Sequence, residues 1–168
     1  SDPNIGQHLR PYLNGKDLTD KARRVSVIDF FGLSEREALE LAPACYQRLF
    51  TTVRPQRLQN SRASYRDDWW ILGEPQPALR MQMSGLARVI ITPVTAKHRF
   101  FVFLDTTTLP DQALNTICID DAYCLGILSS QLHVTWALAA GGRLGMGNDP
   151  RYNNTRCFEP FPFPALEE

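Results

Sequence analysis

Three stretches of this chain carry residue types suited to recognition chemistry: Trp69-Trp70, Lys97-His98-Arg99, and the closing run from Gly145 through Asn148, Arg151 and Tyr152 to Phe161-Pro162-Phe163-Pro164. Cations grip phosphate oxygens, aromatic faces stack on bases, and glycine-rich backbone can approach an anion closely. Together such groups suit an extended polyanion such as DNA. Reaction chemistry is absent from the pattern. A nuclease needs paired carboxylates beside a lysine, but Lys16, Lys21 and Lys97 are the lysines of the chain and no acid precedes Lys97 at a suitable spacing. His8, His98 and His133 are dispersed and license no Ser/His/Asp arrangement. Cys45, Cys118, Cys124 and Cys157 form no C-x-x-C pair, so reduced buried thiols are expected rather than a metal site. The reading is a recognition domain with no catalytic residue and no metal ligand.

Each candidate has a plainer counterpart. Gly141-Gly142-Arg143-Leu144-Gly145-Met146-Gly147 lacks the Gly-Lys-Ser/Thr ending of a phosphate loop, and Pro150 prevents a helix from following directly. Its amides and Arg143 either touch phosphates or simply form a turn. Asn148-Asp149-Pro150-Arg151-Tyr152 is near the Asn/Asp-Pro-Pro-Tyr/Phe tetrapeptide of amino-methyltransferases. Arg151 replaces the second proline and no cofactor loop precedes it, so a methyl-transfer site is rejected, while Asn148, Arg151 and Tyr152 stay as contact candidates. Within Lys97-His98-Arg99, strand alternation should turn at least one side chain inward, and His98 is either half-buried or a contact. Tryptophans mostly fill cores, so Trp69 and Trp70 are expected there. His133 and Trp136, at i and i+3 on a helix, also read first as core.

These groups need a frame to hold them. With 168 residues and 43% hydrophobic residues, the chain suits one domain with a sound core. Its net charge of zero argues against a generic nucleic-acid binder, but the distribution is uneven. From Arg48 to Arg99 there are nine basic residues (Arg48, Arg54, Arg57, Arg62, Arg66, Arg80, Arg88, Lys97, Arg99) against three acids (Asp67, Asp68, Glu74). From Phe100 to Gly142 there are four acids and no lysine or arginine. Such segregation can build a positive face on a neutral molecule. Apolar runs such as Phe100–Leu104 are too short to cross a bilayer, no signal peptide is legible, a start without Met suggests an excised or processed piece, and the scattered thiols suit a cytoplasmic protein.

The local signals predict an α+β fold, a single mixed domain with a small β-sheet and packed helices. Asn14-Gly15 signals a loop or hairpin, and Val25 to Phe30 a short strand. Ser34 and Glu37 form a capping box for a helix to about Ala42, and Pro43 opens a second helix to about Val53. Arg54 to Tyr65 is expected to be exposed loop. Ala78 to Leu86 reads as helix, Ala87–Thr92 and Arg99–Leu104 as strands with the basic triplet at the mouth of their hairpin, and Leu114 to Ile119 as a strand. Asp120-Asp121 begin a helix that breaks near Ser129-Ser130, a glycine-rich loop follows, and prolines close the chain in extended form.

Taken in order, PYLNGKDL, VIDF, VRPQR, WW, RVIITPVTAKHRFFVFLD, DDAYCLGILSSQLHVTW and LGMGNDPRYNNTRCFEPFPFP resemble the target recognition domain of MmeI-like, type IIL restriction-modification enzymes, over about Arg10 to Pro164. The resemblance implies that residues 1–168 form a recognition domain from a larger bacterial polypeptide and read double-stranded DNA. They would position a separate adenine-N6 methyltransferase domain and a nuclease of the same polypeptide, with S-adenosylmethionine and Mg bound there and no cofactor in this part. It directs attention to the neighbourhoods of Arg62, Arg80, Lys97-His98-Arg99 and His133 to Tyr152, with the NDPRY and FPFP segments holding fold and junction. Ala137-Leu138-Ala139-Ala140 is too small and apolar to read bases. The alternative reading is a protein-interaction module that docks through the Trp pair and the FPFP tail.

Overall fold

The computed structural model describes residues 5–144 and 149–164, with backbone alone for 5 and 144. In chain order the elements are α1 (Ile5–His8), β1 (Leu9–Leu13), α2 (Gly15–Thr19), β2 (Val25–Ile28), α3 (Glu35–Leu41), α4 (Pro43–Thr52), α5 (Arg54–Arg57), α6 (Ala63–Asp67) and α7 (Pro77–Met83). There follow β3 (Arg88–Pro93), β4 (Val102–Asp105), β5 (Leu109–Pro110), β6 (Leu114–Ile117), α8 (Ala122–Ser129), α9 (Gln131–Ala140), β7 (Gly142–Leu144), β8 (Asp149–Arg151) and a π-helical turn at Asn154–Phe158. The fold is α+β, as the sequence predicts. Its elements gather into two compact units, Ser1–Tyr12 with Val25–Pro77, and Leu13–Arg24 with Ala78–Glu168.

In the first unit β1 and β2 pair antiparallel, from Leu9 opposite Ile28 to Tyr12 opposite Val25. The Ser34 box forms as predicted: Ser34 Oγ accepts from the Glu37 amide at 3.3 Å, and Glu37 Oε2 accepts from the Ser34 amide at 2.8 Å. Pro43 starts α4, where its missing N–H leaves no bond unmade. The core is Phe30, Ala38, Ala42, Cys45, Tyr46 and Trp69, with Trp70 packed against it. Trp69 stands edge-on to Tyr46 at 5.4 Å, and the Trp70 indole N–H donates to the Leu33 carbonyl at 2.9 Å. Both tryptophans therefore serve the interior. Arg54 to Tyr65 departs from the expected loop, since α5 and the start of α6 lie in it; Pro55 in the first turn of α5 is compatible with a helix start. Replacing Ser34 by Ala removes a cap and should lower unfolding free energy by about 1 kcal/mol, read from the urea midpoint at unchanged slope.

The second unit is built on an antiparallel sheet ordered β4-β3-β6. Ile90 lies opposite Phe103 on one side and Ile117 on the other. Because β3 is central, Val89 through Pro93 are all buried. Alternation sends Ile90 to one face, with Phe101, Ile117, Leu128 of α8, Ala137 of α9 and Tyr152. It sends Val89 and Ile91 to the other, with Met83 and Leu79 of α7 and Leu18 of α2. Helices thus cover both faces. Asp121 caps α8 through the Tyr123 amide at 2.9 Å, and Ser130 both ends α8 and caps α9.

Three expectations are corrected here. Asn14-Gly15 is not a hairpin turn: Asn14 Oδ1 accepts from the Asp17 amide at 3.1 Å and Asp17 Oδ2 accepts from the Asn14 amide at 2.9 Å, a capping box that opens α2. The glycine-rich loop is partly sheet, because Gly142 to Leu144 pair with Arg151 to Asp149. The chain end is not simply extended, since the π-helical turn precedes it and Phe161 is buried. Gly141, at the close of α9, is fixed by proximity: a Cβ there would lie 2.5 Å from the Arg151 carbonyl oxygen and 2.6 Å from that of Ala137.

Candidate functional site

An open cleft of about 480 Å³ lies wholly within the second unit. Its lining comes from four separate segments: Asn14, Gly15, Lys16 and Thr19 of the α2 region, Val94 and Thr95 after β3, Asp111-Gln112-Ala113, and Arg151 of β8.

Each segment is tied down. The Asp17 carboxylate, side chain 2% exposed, receives Arg23 Nε at 2.8 Å and Nη2 at 2.7 Å. The Arg23 guanidinium and amide, with the Asn14 amide, hold this carboxyl well below the usual carboxylate range. The bond fastens α2 from beneath and leaves neighbouring Lys16 exposed. Asp111 Oδ1 accepts from the Ala113 amide at 2.7 Å, while the Asp111 amide donates to the Leu13 carbonyl and the Val94 amide to the Ala113 carbonyl, each at 2.8 Å. Arg151 pairs with Gly142 and bridges Thr95, and the next amide, of Tyr152, donates to the Val94 carbonyl at 2.8 Å. A cleft framed by backbone bonds can present side chains without first ordering them.

The predicted candidates divide sharply. Arg151 lines the cleft and is exposed. Lys97 and His98 are also exposed, on the connection that continues from Thr95, and the Ala96 amide between them and the cleft donates to the Pro150 carbonyl at 3.3 Å. Arg143 is exposed on β7 but directed oppositely to Arg151, because the facing pairs are Gly142–Arg151 and Arg143–Pro150 and side chains alternate. Arg80 is half-buried on α7 and outside the cleft lining. Arg62, in the first unit, pairs with Glu74 at 3.3 Å at an exposed site. Asn148 lies outside the described residues.

Three candidates prove to be structural. Arg99, expected against phosphate, donates instead to Thr92 Oγ1 at 2.9 Å, to the Pro93 carbonyl, and to the Pro150 carbonyl at 3.1 Å. Its guanidinium stitches β3 to β8 and sits 5.2 Å over the Tyr152 ring, where burial lowers its pKa. Tyr152 is 1% exposed and His133 0%, so neither side chain reaches the surface. His133 Nε2 and the Tyr152 hydroxyl are hydrogen-bonded at 3.1 Å, and Phe161 closes edge-on over the imidazole at 4.4 Å. Burial pushes the imidazole down to about 4 and the phenol up.

The cleft lining also holds Lys16 and Gln112, which the sequence does not single out as candidates: Lys16 is an isolated cation within PYLNGKDL, and Gln112 sits in an ordinary turn. Among the described residues no helix is long and apolar enough to cross a membrane.

A family model described as "MmeI, target recognition domain" matches residues 1–165. DNA methyltransferase A of Bacillus subtilis (strain 168) is 32% identical over 81 residues, which are 46% of this chain and 9% of that protein. The solved structure of the type IIL restriction-modification enzyme MmeI in complex with DNA superposes with a TM-score of 0.71 at 18% identity, over 99% of this chain and 22% of that one. At that identity the likeness is one of fold. The chain thus spans a small fraction of either relative's length.

Proposed function

The chain belongs to the MmeI target recognition domain family, and on that premise we propose that it reads double-stranded DNA sequence on behalf of a longer polypeptide. Residues 1–168 are its recognition domain. In this reading the methyltransferase domain of the same polypeptide extrudes the target adenine and methylates N6 with S-adenosylmethionine, because that amine is unreachable inside the stack. A nuclease domain with Mg cuts unmodified sites. This part contributes position, holds no cofactor and performs no chemistry. The setting is the bacterial cytoplasm.

The observation that carries the reading is the cleft. Exposed Lys16 and Arg151 share its lining, and Lys97 and His98 follow on the adjoining connection. Cations on a hydrogen-bonded frame bind phosphates and release the counterions condensed on them, whatever the net charge of the molecule. Support comes also from the shared fold with a structure solved on DNA and from the relative named as a DNA methyltransferase.

Binding of a random-sequence duplex, followed by fluorescence anisotropy over a salt series, tests it. The logarithm of affinity should fall linearly with the logarithm of salt. Lys16→Ala and Arg151→Ala should each flatten that slope by about 0.9, while Met81→Ala, an exposed change on α7, should not. Salt-independent binding, or slopes untouched by both cleft variants, would refute the assignment.

The protein-docking alternative loses two anchors, since Trp69 and Phe161 are buried. An apolar groove of about 370 Å³ along Tyr123, Ile127, Leu132, Pro162 and Pro164 remains in its favour. Failure of the wild-type chain to bind duplex at low salt would favour it.

A further inference from the structure

Resting on the DNA reading above, we infer that Gln112 is the residue with which the cleft reads a base, and that its carboxamide selects adenine in the major groove. Gln112 occupies the middle of the Asp111–Ala113 turn and is exposed. The turn around it is pinned on three sides: Asp111 Oδ1 to the Ala113 amide at 2.7 Å, and backbone bonds to Leu13 and Val94 at 2.8 Å each. Binding therefore costs the rotamers of one side chain and no ordering of a loop.

Elimination within the cleft points to the same residue. In the other carboxamide of the lining, Asn14, the oxygen is already engaged by the Asp17 amide in capping α2. Nearby Asn115 donates its amide to the Tyr152 carbonyl at 3.1 Å. Among the described residues the Gln112 side chain has no hydrogen-bond partner. Lys16 and Arg151 supply charge for phosphates, which leaves the uncharged Gln112 carboxamide as the group suited to a base edge. A carboxamide offers one donor and one acceptor side by side, matching N7 and the N6 amine of adenine. A carboxylate at the same point would offer acceptors alone and prefer the N4 amine of cytosine.

The test is enrichment of a randomised duplex library on the wild-type chain and on Gln112→Ala and Gln112→Glu, with the retained duplexes sequenced. The wild type should enrich a motif containing adenine at one position. Gln112→Ala should lose preference there by roughly tenfold to hundredfold and keep the others. Gln112→Glu should shift that position towards cytosine. Lys16→Ala should lower recovery across all sequences without changing the motif. If both Gln112 variants enrich the wild-type motif unchanged, or alter a position that is not adenine, this inference is overturned and the DNA reading stands. If the wild type enriches no motif, the DNA reading itself fails and this inference with it.

Discussion

Tyr152→Ala should cost this chain about 3–5 kcal/mol of unfolding free energy, the range for removing a large buried ring. The tyrosine is 1% exposed and its ring meets Phe101 edge-on at 5.4 Å. The Arg99 guanidinium lies over the same ring at 5.2 Å, and the tyrosine hydroxyl meets His133 Nε2 at 3.1 Å. Truncation would open a void between the sheet and α9, leave the imidazole nitrogen without a partner, and deprive a half-buried guanidinium of the ring it rests on. Against a total stability of 5–15 kcal/mol typical of domains, about a third or more would go. Tyr152→Phe keeps the ring and should cost about 1–2 kcal/mol, the part due to the lost hydrogen bond. Since Arg151 precedes this residue, DNA binding by the Ala variant should fall through loss of folded protein, whereas the Phe variant should bind normally. Urea unfolding of the three proteins decides it; a Tyr152→Ala chain within about 1 kcal/mol of wild type would contradict the packing described.

What was legible in the sequence was local. The Ser34–Glu37 box, Pro43 at a helix start, the β-branched run of β3 and the Ser129-Ser130 break all depend on residues within one turn or one strand, and all appear where expected. Asn14-Gly15 misled because an asparagine before a glycine is both a turn signal and a possible helix cap. The deciding partner, Asp17, is an acid shorter than the usual capping Glu or Gln. Arg99 misled for a different reason. A cation is ordinarily solvated, and what draws this one inward includes a carbonyl at Pro150, 51 residues away. His133 and Tyr152 belong to the same class: Phe161 closes over the imidazole, and Phe101 and His133 pack against the phenol ring.

The cleft itself could not be read from any window of sequence. Its lining runs from Asn14 to Arg151 through four segments; Gln112 belongs to no charged run or motif, and Lys16, though inside the PYLNGKDL segment, is a single cation with no cationic neighbour. The segregation of arginines between Arg48 and Arg99 marked a region rich in positive charge, yet Arg62 is engaged with Glu74 and Arg99 with carbonyls. Charge density along a chain thus overstates the number of cations available to a ligand, because some hold the fold together.

Acid should destabilise the chain in two separate windows, the first of which belongs to His133. An unfolded histidine takes up its proton near pH 6.5, but the buried imidazole does so only at about 4. Between those values the unfolded chain binds more protons, so stability rises with pH. The contribution is complete above about pH 6.5 and is lost progressively on acidification to about 4, with a slope of at most about 1.4 kcal/mol per pH unit for one proton. The structural cause is plain: Nδ1 is buried without a hydrogen-bond partner, so a second N–H would have no acceptor among the surrounding aromatic rings. The carboxylates act lower. Asp17, Glu37 and Asp105 have folded pKa values below their ordinary ones, so their contributions are present above the unfolded carboxylate range, about 4, and disappear beneath it. His133→Phe fills the same aromatic cluster, and should be less stable at pH 7 because the Tyr152 hydroxyl loses its partner. Its stability should nevertheless stay flat from pH 6.5 to about 4.5, where the wild type falls. Urea midpoints at closely spaced pH values would separate the two proteins; a His133→Phe chain retaining the wild-type slope would assign the titration to a group other than the imidazole.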